Sequence, residues 1–145
     1  MKHYTEDNFE IPTGVGFSIN KARNIIVAEL DHAMEHLDIS AQHIGIMLCL
    51  LRGAPNTPFE MARLLHVDTG LMTRMLDKLE TKGLLVRTRS VEDRRVVHLA
   101  LTLKGRQIAR QIPELALGVL NDRLKHFTKA EFAEFRRLLD KFNGD

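Results

Sequence analysis

The chain has 145 residues, enough for one domain with a hydrophobic core, and its 44% apolar and 28% charged residues are typical of a globular protein. No apolar run approaches the roughly 20 residues that a membrane span requires, and the first residues lack an apolar signal core, so we expect a cytoplasmic protein with no membrane partner. The net charge is only +2, but residues 74–110 carry ten Lys or Arg against four Asp or Glu, and the rest of the chain sums to −4. This local basic excess favours a surface that binds a polyanion.

The first predicted helix spans residues 17–37, because apolar side chains recur at spacings of three and four from Ala22 to Leu37. Asp38 and Ile39 interrupt this pattern. Ser40 is placed to cap a second helix, which ends before Gly53.

Two short helices follow. Thr57-Pro58-Phe59-Glu60 combines a capping threonine, a proline where no amide donor is needed and a glutamate three residues after the cap. The helix that it begins ends near residue 65, and a tight connection over residues 66–68 leads to a helix over residues 69–82. This pair predicts a helix-turn-helix.

After Gly83 the apolar period changes from that of a helix to strict alternation. Residues 84–89 and 96–101 alternate around a polar turn, which predicts a β-hairpin. A hairpin directly after a helix-turn-helix is typical of a winged helix, so we assign residues 40–101 to a winged helix-turn-helix unit.

The C-terminal part is predicted to be helical. One long helix runs from Thr102 to about Phe127 with a kink at Pro113, and Thr128 with Glu131 forms a capping box for the last helix. Phe127 is predicted to pack on Phe132 as a hydrophobic staple. The fold class is therefore mainly α with a small β-hairpin, in the order α-α-α-α-β-β-α-α, within a single domain of residues 1–145.

The helix over residues 69–82 has the two faces that a DNA-recognition helix needs. Its apolar residues fall on one side, and the opposite side carries a set of small, polar or basic residues: Thr69, Gly70, Thr73, Arg74 and Asp77. Arg74 is the candidate for a bidentate contact with a guanine edge in the major groove. Thr73 suits a thymine methyl group or a phosphate, and Gly70 permits close approach of the backbone.

The hairpin supplies a second basic group. Arg94 and Arg95 lie at its tip, where a guanidinium suits a narrow minor groove, and Asp93 is placed to orient Arg95. We expect Arg87 and Arg89, on one face of a strand, to contact phosphates. Thr57, at the start of the third helix, is a further expected phosphate contact.

Two stretches resemble the MarR family of transcription regulators. Residues 93–105, DRRVVHLALTLKG, resemble the wing signature of that family, and residues 76–85, LDKLETKGLL, resemble its passage from recognition helix to wing. Length and element order agree over nearly the whole chain.

The resemblance implies an obligate homodimer built by interleaving terminal helices, here residues 17–37 and 107–143. It implies a repressor of pseudo-palindromic double-stranded DNA operators, released by a phenolic or aromatic carboxylic effector. By position, Thr69, Gly70, Thr73 and Arg74 match the base-reading surface, and Arg94 or Arg95 matches the minor-groove arginine. Lys21, Arg23 and His43 lie near the place where an effector would bind.

The residues also favour a dimer independently of the resemblance. The last helix carries an aromatic stripe of Phe132, Phe135 and Phe142, and the helix before it adds Leu117, Leu120 and Leu124. A winged unit of about 65 residues is too small to cover all of them, which favours a partner chain. A helical cap that covers itself is the alternative.

Other sensing chemistry has weaker support. Cys49 is expected to be a buried, inert thiol, since it lies among apolar residues and no basic residue stands four positions before or after it. His32 and His36 have the spacing of a metal-chelating pair, so a metal-responsive regulator is an alternative, although we expect no cofactor and no bound metal.

Two other classes of function agree less well with the sequence. A winged-helix protein-interaction module that never binds DNA is possible on this fold, but the basic, arginine-tipped hairpin argues against it. An enzyme is disfavoured because the sequence contains no glycine-rich phosphate loop and no nucleophile–base pair.

Overall fold

The computed structural model describes residues 1–145 and places one two-stranded antiparallel hairpin among seven α-helices. The elements are α1 Val15–Met34, α2 Ala41–Arg52, α3 Pro58–Leu64, α4 Thr69–Thr81, β1 Leu85–Arg89, β2 Val97–Leu101, α5 Leu103–Ala109, α6 Ile112–Leu124 and α7 Lys129–Asn143. The predicted fold class, mainly α with a hairpin wing, is confirmed. No helix is both long enough and apolar enough to cross a bilayer.

Side-chain caps fix the starts of four helices. Each cap oxygen accepts a hydrogen bond from a backbone N–H that the first turn leaves without an intrahelical partner. The caps are Thr57 for α3, Asp68 for α4, Thr102 for α5 and Thr128 for α7. These local contacts explain why the predicted starts of α3 and α7 agree with the structure.

The predicted long C-terminal helix is two helices, α5 and α6. Pro113 lies in the first turn of α6 and has no N–H to donate to the carbonyl of Ala109, so the helix ends and restarts instead of bending. Gln111 bridges the break through a bond from its N–H to the carbonyl of Ile108 at 3.0 Å. The predicted staple also differs, because the ring contact that forms joins Phe127 to Phe135, with centroids 5.7 Å apart.

One apolar core lies between the end of α1 and the start of α6. Its 18 buried residues come from these two ends and from α2, α3, α4, the hairpin and α5. His43 is the one buried polar side chain. In contrast, α7 has no buried residue, so it lies outside this core.

Two close contacts set the wing against the helices. The backbone N–H of Leu99 on β2 donates to the carbonyl of Asn56 before α3 at 2.7 Å. The α-carbon of Gly105 packs directly on the backbone of Leu84, and a β-carbon at residue 105 would stand 1.9 Å from the Leu84 carbonyl oxygen. Glycine is therefore required where α5 crosses the base of the hairpin.

Candidate nucleic-acid interface

Helix α4 presents one buried and one exposed face, as the sequence predicts. Its inner side is sealed by four buried residues: Met72, Met75, Leu76 and Leu79. The predicted outer residues Thr69, Gly70, Thr73, Arg74 and Asp77 are all exposed. The turn before α4 is tight because His66 adopts the left-handed conformation, with φ of 51°. The structure therefore brings the predicted base-reading residues together on one surface.

Thr73 and Arg74, the two polar side chains at the centre of this surface, differ in whether they already have a partner within the chain. The hydroxyl of Thr73 donates to the carbonyl of Thr69 at 2.9 Å, so its proton is used within the helix. Arg74 takes part in none of the ion pairs of the chain. Its guanidinium therefore remains available for an external acceptor.

The wing tip carries two further arginines without ion pairs. Arg94 and Arg95 are both exposed in the turn between β1 and β2. The carboxylate of Asp93 accepts a hydrogen bond from the backbone N–H of Arg95 at 3.0 Å. Asp93 therefore orders the backbone of the turn. Its second carboxylate oxygen is free to accept from the Arg95 guanidinium, so the orientation of that side chain by Asp93 stays a prediction.

The three residues expected at phosphates all have partners within the chain. Arg87 Nη1 lies 2.7 Å from a carboxylate oxygen of Asp77. Arg89 Nη1 donates to the Arg94 carbonyl at 3.2 Å. The hydroxyl of Thr57 donates to the Glu60 carboxylate at 2.9 Å. Their contacts with phosphates stay predictions, and the acidic partners of Arg87 on α4 are residues that the sequence analysis did not pair with it.

His43 is buried, and its side chain caps the start of α2. Its Nδ1 accepts the backbone N–H of Ser40 at 3.2 Å, so the proton of the neutral ring lies on Nε2, which has no partner. Burial, followed by the charges of Lys82 and Lys78, lowers the pKa of His43 to about 4. A neutral ring held in this way offers no positive charge to a carboxylate near neutral pH.

The other two residues expected near an effector lie elsewhere. Lys21 and Arg23 are exposed on the first half of α1. The end of α1 is joined to the start of α2 at Asp31, which accepts the N–H of Ala41 at 2.6 Å. Ten residues of helix, about 15 Å, separate Lys21 from that point. A single chain therefore does not bring Lys21, Arg23 and His43 into one pocket.

The alternative sensing residues show no assembled site. His32 Nδ1 lies 3.7 Å from the Glu35 carboxylate, and no group of three or more His, Cys, Asp or Glu is arranged to hold a metal ion. Cys49 is half-buried, and burial raises the pKa of its thiol. A thiol kept protonated in this way is a poor nucleophile.

These features define a class of protein. A helix-turn-helix whose second helix exposes an unpaired arginine, beside a hairpin with two more at its tip, is the architecture of a winged-helix DNA-binding protein.

Similar proteins identify the family. Residues 39–97 match the MarR family. The multiple antibiotic resistance protein MarR of Escherichia coli K12 is 35% identical over 113 residues, which are 77% of this chain and 78% of that protein. Its counterpart in Salmonella typhimurium is 32% identical over 141 residues, 94% and 96% of the two chains. The chain belongs to the MarR family of DNA-binding transcription regulators, which are not enzymes.

A solved structure agrees over nearly the full length. The crystal structure of an E. coli MarR mutant complexed with operator DNA has a TM-score of 0.81 and 33% identity to this chain, and the match covers 96% of this chain and 99% of that one. The resemblance inferred from the wing and recognition-helix signatures is thus confirmed.

Proposed function

We propose that this chain is a homodimeric repressor that reads a pseudo-palindromic operator with α4 and the wing, and that a small aromatic or phenolic ligand releases it. The observation that carries the proposal is the joint exposure of Arg74, Arg94 and Arg95, which have no ion pairs and lie on adjoining elements. The structural similarity to an E. coli MarR mutant complexed with operator DNA supports an arrangement in which α4 and the wing face the duplex.

In the major groove, the exposed face of α4 meets the base edges. Arg74 makes the bidentate contact with a guanine, and Thr69, Gly70 and Thr73 form the rest of the reading surface. Thr69 and Gly70 lie in the first turn of α4, where the recognition helices of such proteins approach the bases.

The wing reaches the neighbouring minor groove. A guanidinium of Arg94 or Arg95 enters it, where a narrow groove concentrates negative potential. Arg89 and Thr57 lie beside this path and contact phosphates. Such contacts add affinity and salt dependence without reading sequence.

A second copy of the chain covers the apolar face of the terminal helices. The large apolar side chains that remain exposed in the single chain include Phe17, Leu117, Leu120, Phe132, Phe135 and Phe142. A contiguous set of this kind is typical of an obligate interface. Two-fold symmetry then presents two α4 helices to one duplex.

An effector acts where the dimerisation helices meet the winged unit. A groove there is lined by Asp31, His32, Glu35 and Asp38 around the end of α1, by Ser40 and His43 at the start of α2, and by Lys78 and Lys82 on the α4 side. Lys82 already pairs with the Asp38 carboxylate at 3.0 Å, so Lys78 is the cation that meets a ligand carboxylate. A ligand in this groove touches the C-terminal end of the recognition helix. Displacement of α4 would then weaken DNA binding.

The test is binding of the purified chain to genomic duplex fragments at low salt, followed by sedimentation of the complex. The proposal predicts a retained subset of fragments and two chains per bound duplex. Replacing Phe135 and Phe142 together by Asp should give monomers that bind weakly. Absence of binding to any duplex would refute the proposal and favour the protein-interaction module.

A further inference from the structure

Arg87 links the wing to the recognition helix. Its Nη1 atom lies 2.7 Å from Asp77 Oδ1 and 3.6 Å from Glu80 Oε1, and its side chain is only 27% exposed. Asp77 and Glu80 lie on α4, whereas Arg87 lies on β1, so the contacts cross from helix to hairpin. We propose that Arg87 is a positioning residue that sets the wing against α4, and not a phosphate ligand; the inference rests on the proposed DNA-binding surface.

The pair also neutralises a charge that would oppose DNA. Asp77 lies three residues after Arg74, about one turn further along the exposed face of α4. Without a partner, its carboxylate would approach the phosphates next to the base-reading arginine, and like charges at an interface cost affinity. The charge-assisted hydrogen bond from Arg87 neutralises the negative charge of the Asp77 carboxylate.

A second arginine, Arg89, stabilises the wing nearer to its tip. Arg87 stands opposite the buried Leu99, midway along the hairpin. Two residues further along β1, Arg89 donates to the carbonyl of Arg94. The first contact holds the strand to α4 and the second holds the turn to the strand, so together they determine where the tip arginines lie relative to Arg74.

The experiment is a thermodynamic cycle of Arg87→Gln, the double variant Asp77→Asn/Glu80→Gln, and their combination. The probes are a duplex that the wild-type protein selects from a random pool and a shuffled duplex of equal length, titrated across a range of salt concentrations. Arg52→Gln is the control, because it removes one exposed charge at the end of α2 that belongs to neither the proposed DNA-binding surface nor the proposed dimerisation helices and forms no ion pair.

A positioning role predicts a loss that depends on the carboxylates. Arg87→Gln should weaken binding to the selected duplex roughly tenfold, the size of one lost base contact. It should weaken binding to the shuffled duplex clearly less, because there only the uncovered Asp77 carboxylate opposes the phosphates. The salt dependence should stay unchanged, and the combined variant should bind no more weakly than Arg87→Gln alone. Replacing Arg94 and Arg95 by Ala should cost less in the Arg87→Gln background than in the wild type.

A phosphate ligand would behave differently. The slope of log K against log salt would fall by about 0.9, both duplexes would weaken alike, and the loss would persist without Asp77 and Glu80. That result would overturn the inference while the proposed function stood. If the wild-type chain bound no duplex at all, the proposed function would fail, and the inference would fail with it.

Discussion

The guanidinium of Arg74 lies back across Gly70. Arg74 Nη1 is 3.5 Å from the point where a β-carbon on Gly70 would stand, and the capping oxygen of Asp68 is 3.1 Å from the same point. That oxygen accepts a hydrogen bond from the backbone N–H of Leu71 at 2.8 Å. Gly70 thus leaves room for both the cap of α4 and the arginine that reads DNA.

Replacing Gly70 by Ala should separate stability from binding. Alanine favours the helix by up to about 1 kcal/mol, which offsets the shift forced on Asp68, so the unfolding free energy should stay within about 1 kcal/mol of the wild type. Affinity for the operator should fall about fivefold, because the added methyl group blocks the close approach of the backbone to the base edges. Denaturant titration and fluorescence anisotropy measure the two quantities.

The matched control for this substitution is Gly16→Ala at the start of α1, outside the predicted dimerisation residues 17–37, where a β-carbon meets no atom within 4 Å. It should raise stability and leave DNA affinity unchanged. Equal affinity of the Gly70→Ala protein and the wild type would remove Gly70 from the reading surface.

Replacing Arg74 by Ala should cost roughly 1–3 kcal/mol of operator binding and relax the preference at one base pair of each half-site. The reason is the loss of a bidentate contact that no neighbour replaces, since Arg74 has no partner in the chain. Binding measured against a panel of single-base operator variants tests this. An unaltered preference at every position would count against the role of Arg74.

Replacing Arg94 and Arg95 together by Ala should weaken binding and flatten the salt dependence. Each lost phosphate contact lowers the slope of log K against log salt by about 0.9. Titration at several salt concentrations measures the slope, and the two single variants identify which arginine enters the groove. A slope equal to that of the wild type would exclude the wing from the interface.

His43 should make the fold less stable as the pH falls. The folded chain holds the pKa of His43 at about 4, against an ordinary histidine value of 6.5, so between these values the unfolded chain binds more protons. Stability is then full above pH 6.5 and should drop by up to about 3 kcal/mol by pH 4. Denaturant titrations at pH 7 and pH 4.5 test the direction.

The control is His43→Gln, because glutamine at the third position of the helix still pairs with the N–H of Ser40 and does not titrate. Its unfolding free energy should change less over the same pH range. An equal fall in both proteins would assign the effect to other groups.

Local chemistry made much of this fold predictable from sequence. The starts of α3 and α7 depend on Thr57 and Thr128, whose bonding partners lie three residues away, and the wing follows from strict alternation on both sides of a polar turn. Arg74 was placed on the exposed face by helical periodicity alone. Sequence patterns that span only a few residues can be interpreted without knowing how the helices pack on one another.

Features that join distant elements were not predictable in the same way. The pairing of Arg87 with Asp77 requires the angle between β1 and α4, and the ion pair between Arg123 and Glu29 requires the packing of α6 on α1. Pro113 indicated a disruption, but whether a helix bends or restarts depends on what it packs against. A capping role for His43 was open from the sequence, but Glu or Gln is the usual partner at its position, so the pattern alone did not pair it with Ser40.

The most direct test of the central claim is footprinting of the purified protein on its selected genomic sites, with the stoichiometry of the complex measured by sedimentation. Two copies of α4 and the wing should protect an inverted repeat whose half-sites are centred about one duplex turn, roughly 10 base pairs, apart, with two chains bound. Protection of a single unrepeated site by one chain, or protection without sequence preference, would contradict the account.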